Sequence, residues 1–409
     1  MTAATHASPR FTTLDEVAPL HADLVALRHH FHQTPELAFE EHATASSVAA
    51  RLAEYGYAVS TGIAGTGLVA SLSAGTGRRA IGIRADLDAL PIHEANTFAH
   101  ASRTPGRMHA CGHDGHTTML LGAARHLAAT RRFDGTVHLI FQPAEERGFD
   151  SGAKRMLAEG LFERFPCDAV FAMHNHPGKP SGQMLFRSGE FMAAGDRVFI
   201  TLRGVGGHAA RPHLARDPVV AAASLIMALQ TVVSRNIDPA QTAVVTIGKL
   251  QGGQALNVIP NEVQLGLSVR SFDPAVRALL KERIVALAEA QAESFGVTAE
   301  IDYVAGYPVV RNAPDETAFA IAVAKELVGA ENVVEQMDRL TGSEDFAYML
   351  EARPGCLVRI GNGLADAGSM LHNPHYDFND ANLVVGAAFW SCLVERYLAV
   401  DFTGDDRAA

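Results

Sequence analysis

Ala80-Ile81-Gly82-Ile83-Arg84, continuing into Ala85-Asp86-Leu87-Asp88-Ala89-Leu90-Pro91, is a short β-branched run that gives way to two acids and a proline. Two similar runs follow, Thr136 to Phe141 and Ala169 to Met173, each bounded by polar punctuation of the kind that ends strands. Between the first two, Thr117 to Thr130 has helical spacing. Strands separated by helices predict an α/β sandwich with a largely parallel central sheet, in which reactive residues gather where strands end and loops begin. Upstream, residues 14 to 56 carry helical spacing, with Leu20, Leu24, Leu27 and Phe31 on one face, and Gly56 ends the segment.

From about residue 191 the pattern changes. Arg197 to Arg203 reads as a strand, Pro218 to Ser234 as a helix, Ala243 to Lys249 and Glu262 to Ser271 as strands, Pro274 to Phe295 as a helix and Thr298 to Val304 as a strand. Strand, helix, strand, strand, helix, strand is a split βαβ, ferredoxin-like plan. The expected organisation is a catalytic domain in two parts, residues 1–190 and 307–409, interrupted by an inserted domain at 191–306.

The 409 residues are 48% hydrophobic and carry a formal net charge of −11. Such a chain can bury a large core. Its acidity, without a stripe of Lys and Arg, argues against a nucleic-acid partner and for a small molecule. Cys111, Cys167, Cys356 and Cys392 are scattered, unlike the framework of a small disulfide-rich domain. Met1 to Glu16 hold Pro9 and acids but no continuous apolar stretch. Neither a signal peptide nor a membrane span is expected there, the ends are expected to fray, and a cytoplasmic location is expected.

The chemistry is concentrated in five patches. Met108-His109-Ala110-Cys111-Gly112-His113-Asp114-Gly115-His116 packs a thiol, three imidazoles and a carboxylate into nine residues, a crowd that a divalent metal reconciles. Cys111 and His113, at i and i+2, point the same way on an extended stretch. Asp86 and Asp88 close the first strand, and Asp88 is placed to accept the second N–H of a ligating imidazole. Glu145 and Glu146 follow the second strand, where adjacent acids on an extended segment point apart, one toward metal and one toward a proton. His174 and His176 follow the third strand, and Met370 to Phe378 contributes His372 and His375. Sulfur and nitrogen beside carboxylate oxygen suit Zn, Mn, Co or Ni better than Mg or Ca.

These motifs, Arg84 to Pro91, His109 to Thr117, Pro143 to Glu146, Gly206 to His213, Ser343 to Phe346 and His372 to Phe378, resemble the dinuclear-metal aminoacylase and carboxypeptidase family, in its hippurate hydrolase and auxin-conjugate amidohydrolase branch. The likeness runs from about Leu27 to Phe389. It implies two divalent ions per subunit, held by Cys111, His113, Glu146, His174 and His372. It implies Glu145 as general base, activating water for attack on an amide and returning the proton to the leaving amine. The substrate implied is an N-acyl or N-aroyl amino acid. The inserted domain is implied to be a lid and dimerisation domain, with His208 stabilising the oxyanion across a homodimer or higher oligomer and Asn257 and Arg270 holding substrate polar groups. Two departures stand out: the broader family has a histidine ligand where this chain has Asp86, and His176 is an additional imidazole. Two other readings stay open on residues alone, a thiol hydrolase using Cys111 with His113 or His116 as base, and a binding protein without turnover.

Overall fold

A computed structural model describes residues 11–366 and 368–399; the expectations for residues 1–10 and for the frayed ends lie outside them. After a short helical turn at Leu14–Val17, the main elements in chain order are α1 (His21–Gln33), α2 (His42–Glu54), β1 (Ala58–Ile63), β2 (Gly67–Ala74), β3 (Ala80–Asp86), α3 (His113–Thr130), β4 (Gly135–Gln142), α4 (Gly152–Ala158), β5 (Ala169–His176) and β6 (Met184–Leu185). The helical spacing of residues 14 to 56 is broken between α1 and α2. Pro35 has no N–H and drives Thr34 out of the α region, to φ −127° and ψ 55°. The pair β1 and β2 is not among the strands the sequence predicts; β1 is largely exposed, while β2 buries Leu68, Val69, Ala70 and Leu72.

After β6 come β7 (Ala194–Arg203), β8 (Gly207–His208), α5 (Pro218–Asn236), β9 (Ala243–Gln251), β10 (Val258–Ile259), β11 (Glu262–Ser271), α6 (Pro274–Ser294) and β12 (Thr298–Tyr307). The chain then adds α7 (Pro314–Val328), β13 (Val333–Val334), α8 (Phe346–Ala352), β14 (Gly355–Gly361) and α9 (Asn382–Tyr397). Two compact units divide these elements. The first takes the chain up to Gly189, Arg311–Asp338 and the residues from Asp345 on; the second takes Glu190–Val310 and Arg339–Glu344.

The first unit is built on an eight-stranded sheet in the order β1-β2-β4-β3-β5-β14-β6-β13. Its centre is parallel: β3 pairs in parallel with β4 and β5, and β5 with β14. Strands β3, β5 and β14 are buried along nearly their whole length, which is why they read as continuous apolar runs rather than as alternation. Helix α3 is buried almost all round. Small residues let it approach α9 closely: a Cβ added at Gly122 would lie 2.9 Å from the Ala387 Cβ, and one at Gly386 would strike the Met119 sulfur.

The second unit is a four-stranded antiparallel sheet, β9-β11-β7-β12, with α5 and α6 packed on one face. Asp-Pro pairs start both helices. Asp217 accepts from the Val219 N–H and Asp273 from the Ala275 and Val276 N–H groups, with proline in the first turn. Burial alternates strictly along β11, so Val263, Leu265, Leu267 and Val269 enter the core while Arg270 takes the opposite face. By length and hydropathy α5 matches a membrane-crossing helix. It nonetheless buries Ala221, Ala222, Leu225, Leu229 and Val232 in this core.

Candidate active site

Most site residues are positioned by bends of the backbone, whereas His174 and His176 lie within β5 rather than past its end. Strand β3 ends at Asp86, and two residues later the Asp88 carboxylate accepts from the Glu145 N–H at 3.1 Å and the Glu146 N–H at 3.0 Å. Those acids are not on an extended segment. Ala144 adopts the left-handed region at φ 53°, and Glu145–Arg147 form one 3-10 turn. Cys111 and His113 are not on an extended stretch either. Gly112 sits at φ 93° and His113 opens α3; a Cβ at Gly112 would lie 2.5 Å from the Tyr376 hydroxyl and 2.7 Å from Asn175 Oδ1, so glycine is required there on both counts. His372, also left-handed at φ 64°, lies in the loop between β14 and α9 rather than at a strand end. Its N–H donates to the Ala110 carbonyl at 2.8 Å, which ties that loop to the segment before Cys111.

These bends bring the expected donors together. Cys111, His113 and His174 offer ligand atoms within 4.8 Å of one another, as do Cys111, Glu146 and His372, and His113, Glu145 and Glu146. His174 Nε2 is 3.4 Å from the Cys111 sulfur, and its Nδ1 donates to the Asn175 carbonyl at 2.8 Å. Burial, with Arg359 nearby, holds His174 well below the ordinary imidazole range, leaving it neutral as a ligand must be. His372 Nε2 is 3.1 Å from Glu146 Oε1. His113 Nδ1 faces the Asp88 carbonyl at 2.8 Å and Asp88 Oδ1 at 3.3 Å, while its fully buried Nε2 has no hydrogen-bond partner. With the Nδ1 proton held by Asp88, that Nε2 presents a lone pair, and a convergent set of S, N and O donors around an orphaned nitrogen fits a metal centre.

Other residues of the motifs take supporting roles. His116, one turn along α3 from His113, has Nδ1 2.6 Å from Asp86 Oδ1 and Nε2 2.9 Å from Asn175 Oδ1. With both nitrogens engaged it cannot serve as a base for Cys111, and burial pushes the Cys111 thiol up rather than toward a reactive thiolate. His109 is buried with neither ring nitrogen hydrogen-bonded; burial lowers it to about 3. His176, lowered to about 4 by burial, belongs to none of the convergent groups. Asp114 faces away from them, 2.8 Å from His32 Nδ1 and 3.5 Å from Arg28 Nη1. Burial would raise that carboxyl, but His32 above all holds it well below the usual range. Arg28 also binds Asp377 and Asp380, each at 2.7 Å. This network was hidden in the sequence, since its arginine is far from every motif it serves.

In the second unit His208 is exposed on β8, paired with Val258 of β10. Asn257 is exposed, and its carbonyl accepts from the Ala209 N–H at 3.0 Å. Arg270 donates to the Ser343 hydroxyl at 2.7 Å. Phe191 to Ala194 are buried. Met227 is 70% exposed on α5.

The pattern defining peptidase family M20/M25/M40 matches residues 82–396. A hippurate hydrolase of Campylobacter jejuni is 40% identical over 385 residues, covering 94% of this chain and 99% of that protein. An IAA-amino acid hydrolase of Arabidopsis thaliana is 38% identical, covering 92% of this chain and 86% of that one. A dinuclear metal binding peptidase of the M20 family from Bacillus subtilis superposes with a TM-score of 0.79 at 32% identity, over 93% of this chain and 99% of that structure.

Proposed function

Since the chain belongs to peptidase family M20/M25/M40, we propose that it hydrolyses the amide bond of N-acyl or N-aroyl amino acids of the hippurate type. The observation that carries this reading is the meeting of Cys111, His113, Glu146, His174 and His372 beside the buried Glu145. The five donors are assigned two divalent ions per subunit, of the Mn, Zn, Co or Ni class that such mixed ligands favour. Bound ions supply Lewis acidity to an amide carbonyl and to water. Glu145 takes the proton of the attacking water on a carboxylate oxygen and returns it to the amide nitrogen, which leaves once protonated. Asp88 fixes the backbone of the Glu145 turn and the tautomer of His113. On the second unit, Arg270 is assigned the substrate α-carboxylate through a two-pronged contact, Asn257 a polar group of the substrate and His208 the oxyanion, the last supplied across a homodimer.

The dimer is supported by the outer face of α5, where Val219, Val220 and Met227 are 45%, 51% and 70% exposed, an apolar face that monomers seldom leave open. Four buried free thiols suit a cytoplasmic enzyme. Deacetylation and hydrolysis of indole-acetyl conjugates are the neighbouring activities of the same branch. The test assays N-benzoyl, N-acetyl and N-indoleacetyl amino acids after chelation and after return of Mn, Zn, Co or Ni. Turnover of at least one substrate, lost on chelation and restored by one ion, is expected. Release of no amino acid from any substrate with any ion overturns the reading.

A further inference from the structure

The motif Ser343-Glu344-Asp345-Phe346 contributes no ligand to the centre described above, yet Asp345 is fully buried. It stands at the N-cap of α8 without capping that helix through its side chain. Its carboxylate points elsewhere. Oδ1 accepts from Arg84 Nη2 at 3.1 Å and Gln142 Nε2 at 2.8 Å; Oδ2 accepts from the same Gln142 nitrogen at 2.9 Å and from the Ala153 N–H in the first turn of α4 at 3.0 Å. Arg84 is anchored in turn, donating to Gln142 Oε1 and to Asp86 Oδ2, both at 2.8 Å. Two strand side chains and a helix start thus fix one aspartate. Held this way, Asp345 directs its own backbone N–H at Glu145 Oε1, at 3.4 Å.

We propose that Asp345 is the positioning residue of the general base. The proposal rests on Glu145 being that base. A glutamate on a single 3-10 turn has three side-chain torsions to settle, and its backbone bond to Asp88 fixes none of them. An N–H on Oε1 restrains those torsions and so orients the carboxylate toward the proton it is to take. Such contacts are long in the free enzyme and tighten as the reacting complex forms. The cost of burying Arg84, Asp86 and Asp345 together is compensated by filling their hydrogen-bonding capacity, and what the arrangement secures is the orientation of one carboxylate.

The test uses the metal-loaded enzyme and hippurate, or the best substrate of the panel. Asp345→Asn keeps the shape but sets an amide against donors. It is expected to lower kcat roughly 10- to 100-fold, with KM within about twofold of wild type and bound metal unchanged. Gln142→Glu added to Asp345→Asn restores a donor–acceptor match and is expected to recover most of kcat. Gln142→Met, which leaves the Asp345 charge pair with Arg84, gives an independent reading in the same direction should Asp345→Asn not fold. Glu145→Gln, which should keep metal and lose turnover, separates the two levels. If it is inactive while Asp345→Asn and Gln142→Met turn over at wild-type kcat, or lose kcat only in step with bound metal, the positioning role is overturned. If Glu145→Gln itself runs at wild-type rate, the assignment of the base fails, and the positioning role with it.

Discussion

Asp88 holds three donors with one residue: the N–H groups of Glu145 and Glu146 and the Nδ1 proton of His113. Asp88→Ala therefore frees the His113 tautomer and the carboxylate turn together. Metal affinity, measured by competition with a fluorescent chelator, is expected to fall about 10- to 100-fold; an unchanged affinity would separate Asp88 from the ligand set. Glu41 buttresses the same turn from behind, accepting from the Ala144 N–H at 2.8 Å and the Thr66 hydroxyl at 2.5 Å. Burial first, and then the nearby Asp88, raise its carboxyl to about 7 from an unfolded value of 4.5. A raised carboxyl binds its proton more tightly in the native state, so its contribution is fully present below 4.5 and is lost as pH rises through about 7. Glu41→Gln does not lose it. Relative to wild type, the metal-free variant should gain about 2 kcal/mol between pH 5 and pH 8, read from thermal unfolding; a gap that does not change with pH refutes the prediction.

Arg28 makes a fastener out of an element. Fully buried on α1, it reaches Asp114 at the start of α3 and Asp377 and Asp380 in the segment that leads from His372 into α9. Replacing it leaves buried Asp114 without this cation, so Arg28→Met is expected to cost about 3–5 kcal/mol. Denaturant unfolding checks the magnitude, and a loss within about 0.5 kcal/mol would contradict it. This tie also marks where sequence reading stops. The central strands were legible because strands buried on both faces leave continuous apolar runs, and α5 and α6 because Asp-Pro pairs announce their starts. The candidate donors were legible because Cys, His and Glu crowd into short motifs. The geometry of the crowd was not: Gly112 and Ala144 each take a left-handed bend, converting the expected extended pairs into a helix start and a 3-10 turn. Only glycine gave a hint of its bend, since alanine rarely adopts that region. Arg28, Glu41 and the role of Asp345 depend on partners that only the tertiary fold brings near, and no local period encodes them.

At the scale of the molecule, the second unit is assigned the dimer contact, and its exposed face can be tested directly. Val220→Glu with Met227→Glu places charge on the outer face of α5, leaving its buried residues untouched. Sedimentation velocity should move from dimer to monomer, whereas an undisturbed dimer would place the contact elsewhere. The first unit carries a different consequence, one of timing. Helix α3 is buried almost all round, and the helix packed closely against it, α9, is encoded only after the whole inserted unit and β14. His372 lies on the same late stretch. A chain emerging from the ribosome thus carries a finished sequence for its central helix long before the α9 cover for that helix exists, and four of the five proposed donors before the fifth. Its synthesis is therefore expected to pass through a species whose central helix lacks part of its cover, with the proposed donor set complete only in the last stage of translation.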